Sequence, residues 1–296
     1  MTRRARVVAA TVGVMAGVIA AFLLTLWILL RLTDGVGLPG GQKVAVVEVE
    51  GLIIDTADLV QDLQHHQDDP AVRALVVRVN SPGGVVAPTQ EVYAAIQRLR
   101  RAGKPVVASL GGVAASGGYY IAAATDRIYA NPGSLTGSIG VIMQMANVEG
   151  LFKKVGVEYL VVKAGEYKDI GNPGRPMSAE ERRILQSLLD DVHGQFIEAV
   201  AEGRRLPREA VVAFADGRIV SGAQAKALGI VDVLGGLEEA IDGAAQLAGL
   251  PPRPKVIRPR RRFSLFDLLK SRLDLPSLSG VPGGLPVVKT PLYLMD

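Results

Sequence analysis

The stretch "KPVVASLGGVAASGGYYIAAATD", residues 104–126, decides how this chain is expected to fold. Residues 106–110 are a short apolar run after a proline, a Gly-Gly pair interrupts the run, and small and apolar residues continue at helical density from Ser116. This order predicts a strand, a turn and a helix. Ser116 then lies at the helix N-terminus, where its hydroxyl can face a cleft and the Gly117 amide can point at an oxyanion. A simple helix-capping serine is the alternative.

A second strand, turn and helix precede this unit. Residues 72–79, "VRALVVRV", predict a strand that runs into the tight turn "NSPGG", and residues 88–101 predict an amphipathic helix. Such units build parallel sheets, so Gly83 of the turn is expected at the same end of the sheet as Ser116. The turn lacks the spacing of phosphate-binding loops, and an exposed backbone amide at Gly83 is the simpler use.

The rest of the central region continues the α/β pattern. Ser138 lies in a Gly- and Ser-rich loop, where a turn or hydrogen-bonding role is expected, and Lys168 lies in a loop for which a surface lysine is the plain alternative. Asp169 is expected to be structural, because a close carboxylate would favour the charged form of a lysine. Further strands are predicted at residues 43–50, 126–130 and 158–163, and further helices at 58–66, 151–155, 178–203 and 237–250.

The N-terminal region predicts a membrane anchor. Residues 7–30 are 24 residues without a charge, about 36 Å as a helix, enough to cross a hydrocarbon core of about 30 Å. Three arginines before residue 7 favour a cytoplasmic N-terminus, which places the rest of the chain outside the membrane. A cleaved signal peptide is the alternative, but the apolar run exceeds the usual length. Residues 31–42 are a Gly-rich linker, and the predicted main domain covers residues 43–250.

Composition excludes several kinds of chemistry. The chain of 296 residues has no cysteine and three histidines, so thiol catalysis, disulfides and a His/Cys zinc cluster are excluded, and no metal or cofactor is expected. The tail, residues 251–296, has six basic residues within 253–262 and a possible amphipathic helix at 264–275. The rest of the chain shows no nucleic-acid-binding pattern, so a lipid bilayer is the better partner for the basic tail. The final "PLYLM" is apolar enough to occupy a peptide-binding site.

Four stretches together are similar to the signal peptide peptidase A family in its short form: residues 78–84, 114–141, 164–171 and 217–232. The resemblance implies a crotonase-like, Clp-protease-like fold of repeated ββα units over residues 43–250, in a membrane-anchored serine protease. It implies Ser116 as nucleophile, Lys168 as general base, Ser138 as the residue that orients the lysine, and the Gly83 and Gly117 amides as the oxyanion hole. Family members form rings, so a homo-oligomer is expected.

This reading is chemically consistent with the residues present. A serine hydroxyl needs a base, and without a nearby histidine a lysine can serve only if an apolar pocket keeps its amine neutral. The same pocket would suit extended apolar peptides, and the resemblance implies cleaved signal peptides as substrates. Two alternatives remain: a crotonase-like enzyme acting on an acyl-CoA, and a non-catalytic membrane scaffold.

Overall fold

The structure is a computed structural model that describes residues 14–25, residues 41–258 and the main chain of residues 292–294. Residues 14–25 form helix α1, and a second unit, the main domain, begins at Lys43. The membrane helix predicted at residues 7–30 extends beyond this described helix at both ends. Among the described helices, none is long and apolar enough to span a bilayer. Nearly all of the predicted linker, and the amphipathic helix predicted at 264–275, lie outside the described residues.

The main domain is built on one sheet. Its described strands follow the order β6-β5-β3-β2-β1-β8, with β4 beside β3, β7 beside β4 and β9 beside β2. The strands are β1 (Lys43–Ile53), β2 (Val72–Val85), β3 (Val106–Ala115), β4 (Arg127–Ala130), β5 (Leu135–Gly137), β6 (Ile219–Ser221), β7 (Val233–Leu234), β8 (Lys255–Ile257) and β9 (Leu292–Leu294). Most pairs are parallel; β5 with β6 and β2 with β9 are antiparallel. The predicted α/β class with a largely parallel sheet is confirmed.

Helices cover both faces of the sheet. They are α2 (Ala57–Asp68), α3 (Val86–Arg101), α4 (Gly117–Ala123), α5 (Glu149–Val155), α6 (Ala179–Arg204), α7 (Arg208–Val212), α8 (Gly222–Ala227) and α9 (Leu237–Leu247). The near-continuous valine runs of β1 and β2 are buried on both faces, as a covered parallel sheet requires. Alternate residues point to opposite sides: Val47 and Val49 pack in a large core, while Val44 and Val46 pack in a smaller core with α9.

Three local predictions are wrong. The Gly-Gly pair at residues 111–112 is not a turn, because β3 continues through it to Ala115 and pairs there with β5. The "NSPGG" segment is not a tight turn between strand and helix, because β2 continues through it to Val85 and pairs with Leu52 and Ile53 of β1. Residues 158–163 are not a strand, although their sequence "EYLVVK" has high strand propensity. No described strand lies beside them, and their side chains are exposed, so no ladder or buried face stabilises an extended pairing there.

One segment of the main domain contributes few side chains to the core. We call residues 147–177 the arm. Helix α5 within it has no buried side chain, and the arm's apolar residues Leu160 and Val162 are 77% and 102% exposed. Contacts within the arm stabilise it: hydrogen-bonded turns and a stack of the Phe152 and Tyr159 rings, whose centroids are 5.7 Å apart. It carries Lys168, so the position of the predicted base depends on a segment with a large exposed apolar surface.

Candidate active site

Ser116 connects the end of β3 to the start of α4 in a strained backbone conformation. Its φ of 51° and ψ of −118° are unusual for a residue with a side chain, and such strain is concentrated at functional sites. The side chain makes no capping hydrogen bond to α4, so Ser116 is not a simple helix cap. Its Oγ is buried and has no hydrogen-bond partner. A buried hydroxyl without a partner is costly, which is consistent with a group reserved for a reaction.

The two glycines predicted to form the oxyanion hole lie against each other. A Cβ atom on Gly117 would lie 3.3 Å from the Gly83 Cα, 3.2 Å from the Gly84 nitrogen and 3.0 Å from the Thr89 Oγ1. Only glycine therefore fits at position 117 without displacing β2. Gly83 has a φ of 111°, which favours glycine for a second reason. Its amide donates a hydrogen bond to Ser81 Oγ at 3.1 Å, so in this state the Gly83 N–H already has an acceptor.

Ser138 lies next to Ser116 through the sheet. The Ser116 amide donates to the Gly137 carbonyl at 2.9 Å, and Ala115 pairs with Gly137 where β3 and β5 run side by side. Ser138 follows directly, buried, with a φ of 50°. Its own amide donates to the Arg218 carbonyl at 2.8 Å, which fixes this backbone conformation. The structure thus brings Ser116, Gly117, Gly83 and Ser138 together.

Lys168 lies on the arm, whereas the group around Ser116 lies at the ends of the sheet strands. Lys168 is in a series of turns, where its amide donates to the Gly165 carbonyl at 3.2 Å. Its side chain is exposed, and it makes no hydrogen bond to Ser116, whose Oγ has no partner. The neighbouring Asp169 is engaged structurally: hydrogen bonds from Arg175 and Lys163 hold the pKa of its carboxyl well below the usual range.

The C-terminal strand β9 lies beside the glycine pair near Ser116. Leu294, Tyr293 and Leu292 pair antiparallel with Gly83, Gly84 and Val85, respectively. One edge of Gly83 and Gly84 is already taken by β1, so β9 lies along the other edge, the side on which β3 ends and Ser116 follows. Helix α4, which begins after Ser116, also contacts β9.

Sequence reasoning missed two neighbours of the glycine pair. Ser81 accepts from the Gly83 amide, and its Oγ donates to the Gly51 carbonyl at 2.6 Å. Thr89 is fully buried against Gly117 and donates to the Val85 carbonyl at 2.8 Å. Ser81 belongs to the "NSPGG" motif and could have been singled out there, whereas nothing in the local sequence marks Thr89. Both hold the backbone that carries the glycine amides.

Comparison with known proteins identifies the family of the chain. Residues 98–251 match peptidase family S49. The chain is 48% identical over 212 residues to "Putative protease slr0021" of Synechocystis, a match that covers 71% of this chain and 76% of that protein. It is 35% identical over 214 residues to "Putative signal peptide peptidase SppA" of Enterococcus faecium, covering 68% and 62%. It is 37% identical over 222 residues to "Protease 4" of Salmonella typhi, covering 71% and 35%.

These matches place the protein among the proteases. It belongs to peptidase family S49, and the predicted membership of the signal peptide peptidase A family, short form, is confirmed. The matched region spans less than two thirds of the Enterococcus protein and about a third of the Salmonella protein.

Proposed function

We propose that this protein is a serine endopeptidase that hydrolyses extended apolar peptides with Ser116 as nucleophile and Lys168 as general base. The observation that carries the proposal is the buried, unpartnered Oγ of Ser116, held in a strained turn beside Gly117 and Gly83. A parallel sheet that presents a nucleophile and glycine amides at the ends of its strands also supports the crotonase-like arrangement.

The proposed reaction follows from these groups. The neutral Lys168 amine takes the proton of Ser116 Oγ while Oγ attacks the peptide carbonyl carbon. The Gly117 amide and the Gly83 amide, which exchanges its Ser81 acceptor for the substrate oxygen, hold the oxyanion. The Lys168 ammonium then protonates the leaving amine. A water molecule gives a proton to Lys168 and attacks the acyl carbon, and the Lys168 ammonium returns a proton to Ser116 Oγ as the acyl bond breaks. Ser138, beside Ser116, orients the lysine amine during both steps.

The exposed side chain of Lys168 makes no hydrogen bond to Ser116 Oγ, which favours assembly as part of this mechanism. The arm that carries Lys168 exposes apolar side chains, including Leu160 and Val162, and such surface is usually covered by another protein. We propose that copies of the chain form a closed ring in which the arm of one subunit reaches the Ser116 site of the next. Mixing Ser116→Ala and Lys168→Ala subunits should then restore activity that neither variant has alone.

The peptide-binding mode is proposed from β9. The edge of β2 at Gly83–Val85 accepts an antiparallel strand, here one from the protein's own C-terminus. A substrate that takes the same path would bind by main-chain hydrogen bonds, with its carbonyl groups passing the glycine amides. This explains how one site could accept many apolar sequences.

The location of the enzyme is proposed from the N-terminal sequence. The uncharged run at residues 7–30 supports a single-pass anchor with a cytoplasmic N-terminus and an extracytoplasmic catalytic domain. The basic tail would lie on an anionic bilayer. Signal peptides left in the membrane after cleavage are apolar and close to such an enzyme, which makes them the proposed substrates.

The test is peptidase activity of the full-length protein in detergent on apolar fluorogenic peptides. Wild type, Ser116→Ala and Lys168→Ala are compared across pH. The proposal requires both substitutions to abolish turnover. Substantial activity in Lys168→Ala would mean that the base is another group, and a folded but inert wild type would favour the scaffold.

A further inference from the structure

A chain of four charged side chains borders Lys168. We call Lys163, Asp169, Arg175 and Glu181 the charge cluster. Lys163 donates from Nζ to Asp169 Oδ1, and Arg175 donates from Nε to Asp169 Oδ2 at 3.0 Å. Arg175 also donates from Nη1 to Glu181 Oε2 at 2.8 Å and from Nη2 to Glu181 Oε1. The side chains of Asp169 and Glu181 are only 11% and 4% exposed, whereas those of Lys163 and Arg175 are 34% and 33% exposed.

Glu181 anchors the cluster to a rigid element. It is the third residue of α6, and it forms a reciprocal capping box with Ser178: its amide donates to Ser178 Oγ at 3.1 Å, and its carboxylate accepts from the Ser178 amide at 2.8 Å. Helix α6 runs for 26 residues, and its later turns are buried in the core through Phe196 and Val200. Arg175 therefore connects the lysine-bearing turn to a helix that is fixed in the main domain.

The turn that carries Lys168 contains no helix or strand of its own. Its residues, 164–171, are held locally by single hydrogen bonds, such as the Ile170 amide to the Tyr167 carbonyl at 3.1 Å. Asp169 is the residue next to Lys168. A planar guanidinium that binds two carboxylates at once restricts both partners more than an ammonium can. Asp169 and Arg175 thus connect the backbone at Lys168 to α6.

The cluster also neutralises the negative charge of the Asp169 carboxylate. A carboxylate beside a lysine stabilises the ammonium form and would weaken the lysine as a base. Here the Asp169 carboxylate faces the cations Lys163 and Arg175 and the amide of Asn172, and Glu181 lies behind Arg175. The four charges of the cluster sum to zero. Losing one cation would leave a net negative charge next to Lys168.

We propose that Arg175 is a positioning residue for Lys168: through Asp169 and Glu181 it fixes the lysine turn on α6 and neutralises the carboxylate next to the base. This inference rests on the proposed function, in which Lys168 is the general base. Arg175 itself touches neither the substrate nor Ser116 in this role.

The experiment compares full-length Arg175→Ala, Arg175→Lys and Arg183→Ala. Arg183 is the matched control, because it forms an exposed ion pair with Glu180 in the first turn of the same helix. We expect Arg175→Ala to lower kcat about 10- to 100-fold with little change in KM, since a misplaced base slows chemistry more than binding. Its rate should also rise at higher pH than the wild-type rate. Arg175→Lys should recover part of kcat, and Arg183→Ala should match the wild type.

Two further variants keep the test decisive. Asp169→Asn removes the carboxylate and leaves both cations, so its rate should rise at lower pH than the wild-type rate, opposite to Arg175→Ala. This comparison stands even if Arg175→Ala folds poorly. Wild-type kcat and pH profile in Arg175→Ala, or equal shifts in both variants, would overturn the inference. Lys168→Ala is measured alongside: if it stays active the proposed function fails, whereas if it is inactive and Arg175→Ala is normal, only the positioning role fails.

Discussion

The Ser116 amide donates a hydrogen bond to the Gly137 carbonyl over 2.9 Å. This single bond connects the end of β3 to the end of β5 and sets Ser138 beside Ser116. Because this hydrogen bond uses only main-chain atoms, the Ser116 hydroxyl is not needed to hold the backbone in place. Loss of that hydroxyl should therefore abolish the activity of the protein without lowering its stability.

Ser116→Ala should abolish peptidase activity without harming the fold. The Oγ is buried and has no hydrogen-bond partner, and a buried hydroxyl of this kind carries a penalty of about 1–3 kcal/mol. We expect kcat to fall by at least about a thousandfold and the free energy of unfolding to stay unchanged or rise by up to about 1 kcal/mol. Turnover of a fluorogenic peptide and urea denaturation measure the two effects. A variant that is clearly destabilised would show that the hydroxyl supports the fold.

Gly117→Ala should damage catalysis by moving the oxyanion hole. The added methyl group would lie 3.2 Å from the Gly84 nitrogen and 3.0 Å from Thr89 Oγ1, so β2 must shift away from α4. Misplacing one oxyanion donor costs about 100- to 1000-fold in kcat. Gly133→Ala is the control, because its Cβ would meet nothing within 4 Å. Equal kcat values for the two variants would argue against this oxyanion hole.

Removing residues 285–296 should increase activity. Strand β9 takes the edge of β2 at Gly83–Val85 that we assign to substrate, and Ser116 is fully buried with β9 in place. A tethered segment competes at high effective concentration, so its deletion should raise kcat/KM several-fold, and a peptide of residues 289–296 should inhibit the shortened protein competitively. The same peptide with proline at the Tyr293 position is the control, because proline disrupts a strand ladder. An unchanged rate after deletion would contradict this role.

Local sequence predicted the centre of the site because the signals there are local. A strand and a helix follow one another on either side of Ser116, and their order places Ser116 directly before α4. The parallel-sheet pattern of the two neighbouring units places it near Gly83. The continuation of β2 through "NSPGG" could not be predicted this way, because it depends on pairing with Leu52 and Ile53, about 30 residues earlier in the chain.

The arm shows more clearly which features local sequence could not predict. Residues 158–163 have the composition of a strand, but no described strand pairs with them. The exposure of Lys168 on the arm is likewise a tertiary property that no local pattern encodes. The charge cluster joins residues 163, 169, 175 and 181, a spacing of six each time, and this regular spacing matches no helix or strand period that would have marked it in advance.

Two glycines of α6 should respond oppositely to alanine. A Cβ on Gly203 would lie 2.1 Å from the Ala123 carbonyl oxygen, so α6 and α4 must separate, at a cost of about 3 kcal/mol. A Cβ on Gly194 would meet nothing within 4 Å, and alanine there should stabilise the helix by about 0.5–1 kcal/mol. Urea denaturation of the two single variants measures both. Equal stability of Gly203→Ala and Gly194→Ala would contradict the close packing of α6 on α4 at Gly203.

The stability of the protein should fall on acidification partly through Glu181. Hydrogen bonds from Arg175 and from the Ser178 amide lower the pKa of Glu181 from 4.5 to about 2. A carboxyl whose pKa is lower in the folded state than in the unfolded chain stabilises the fold above its unfolded pKa, and this stabilisation is lost as the pH falls through the folded pKa. The contribution of Glu181 is therefore complete above about pH 4.5 and disappears towards pH 2. Asp169, with its pKa also lowered, adds to the same trend.

Glu181→Gln should accordingly be less stable than the wild type at neutral pH, and its urea midpoint should change less between pH 5 and pH 2 because the titrating group is gone. Glu198→Gln is the control on the same helix, since the Glu198 carboxylate is exposed and contacts Arg208 only at 3.5 Å. That variant should keep the wild-type dependence on pH. A wild-type dependence in Glu181→Gln as well would mean that the Arg175–Glu181 pair does not stabilise the fold, and the turn that carries Lys168 would then have to be held by other contacts.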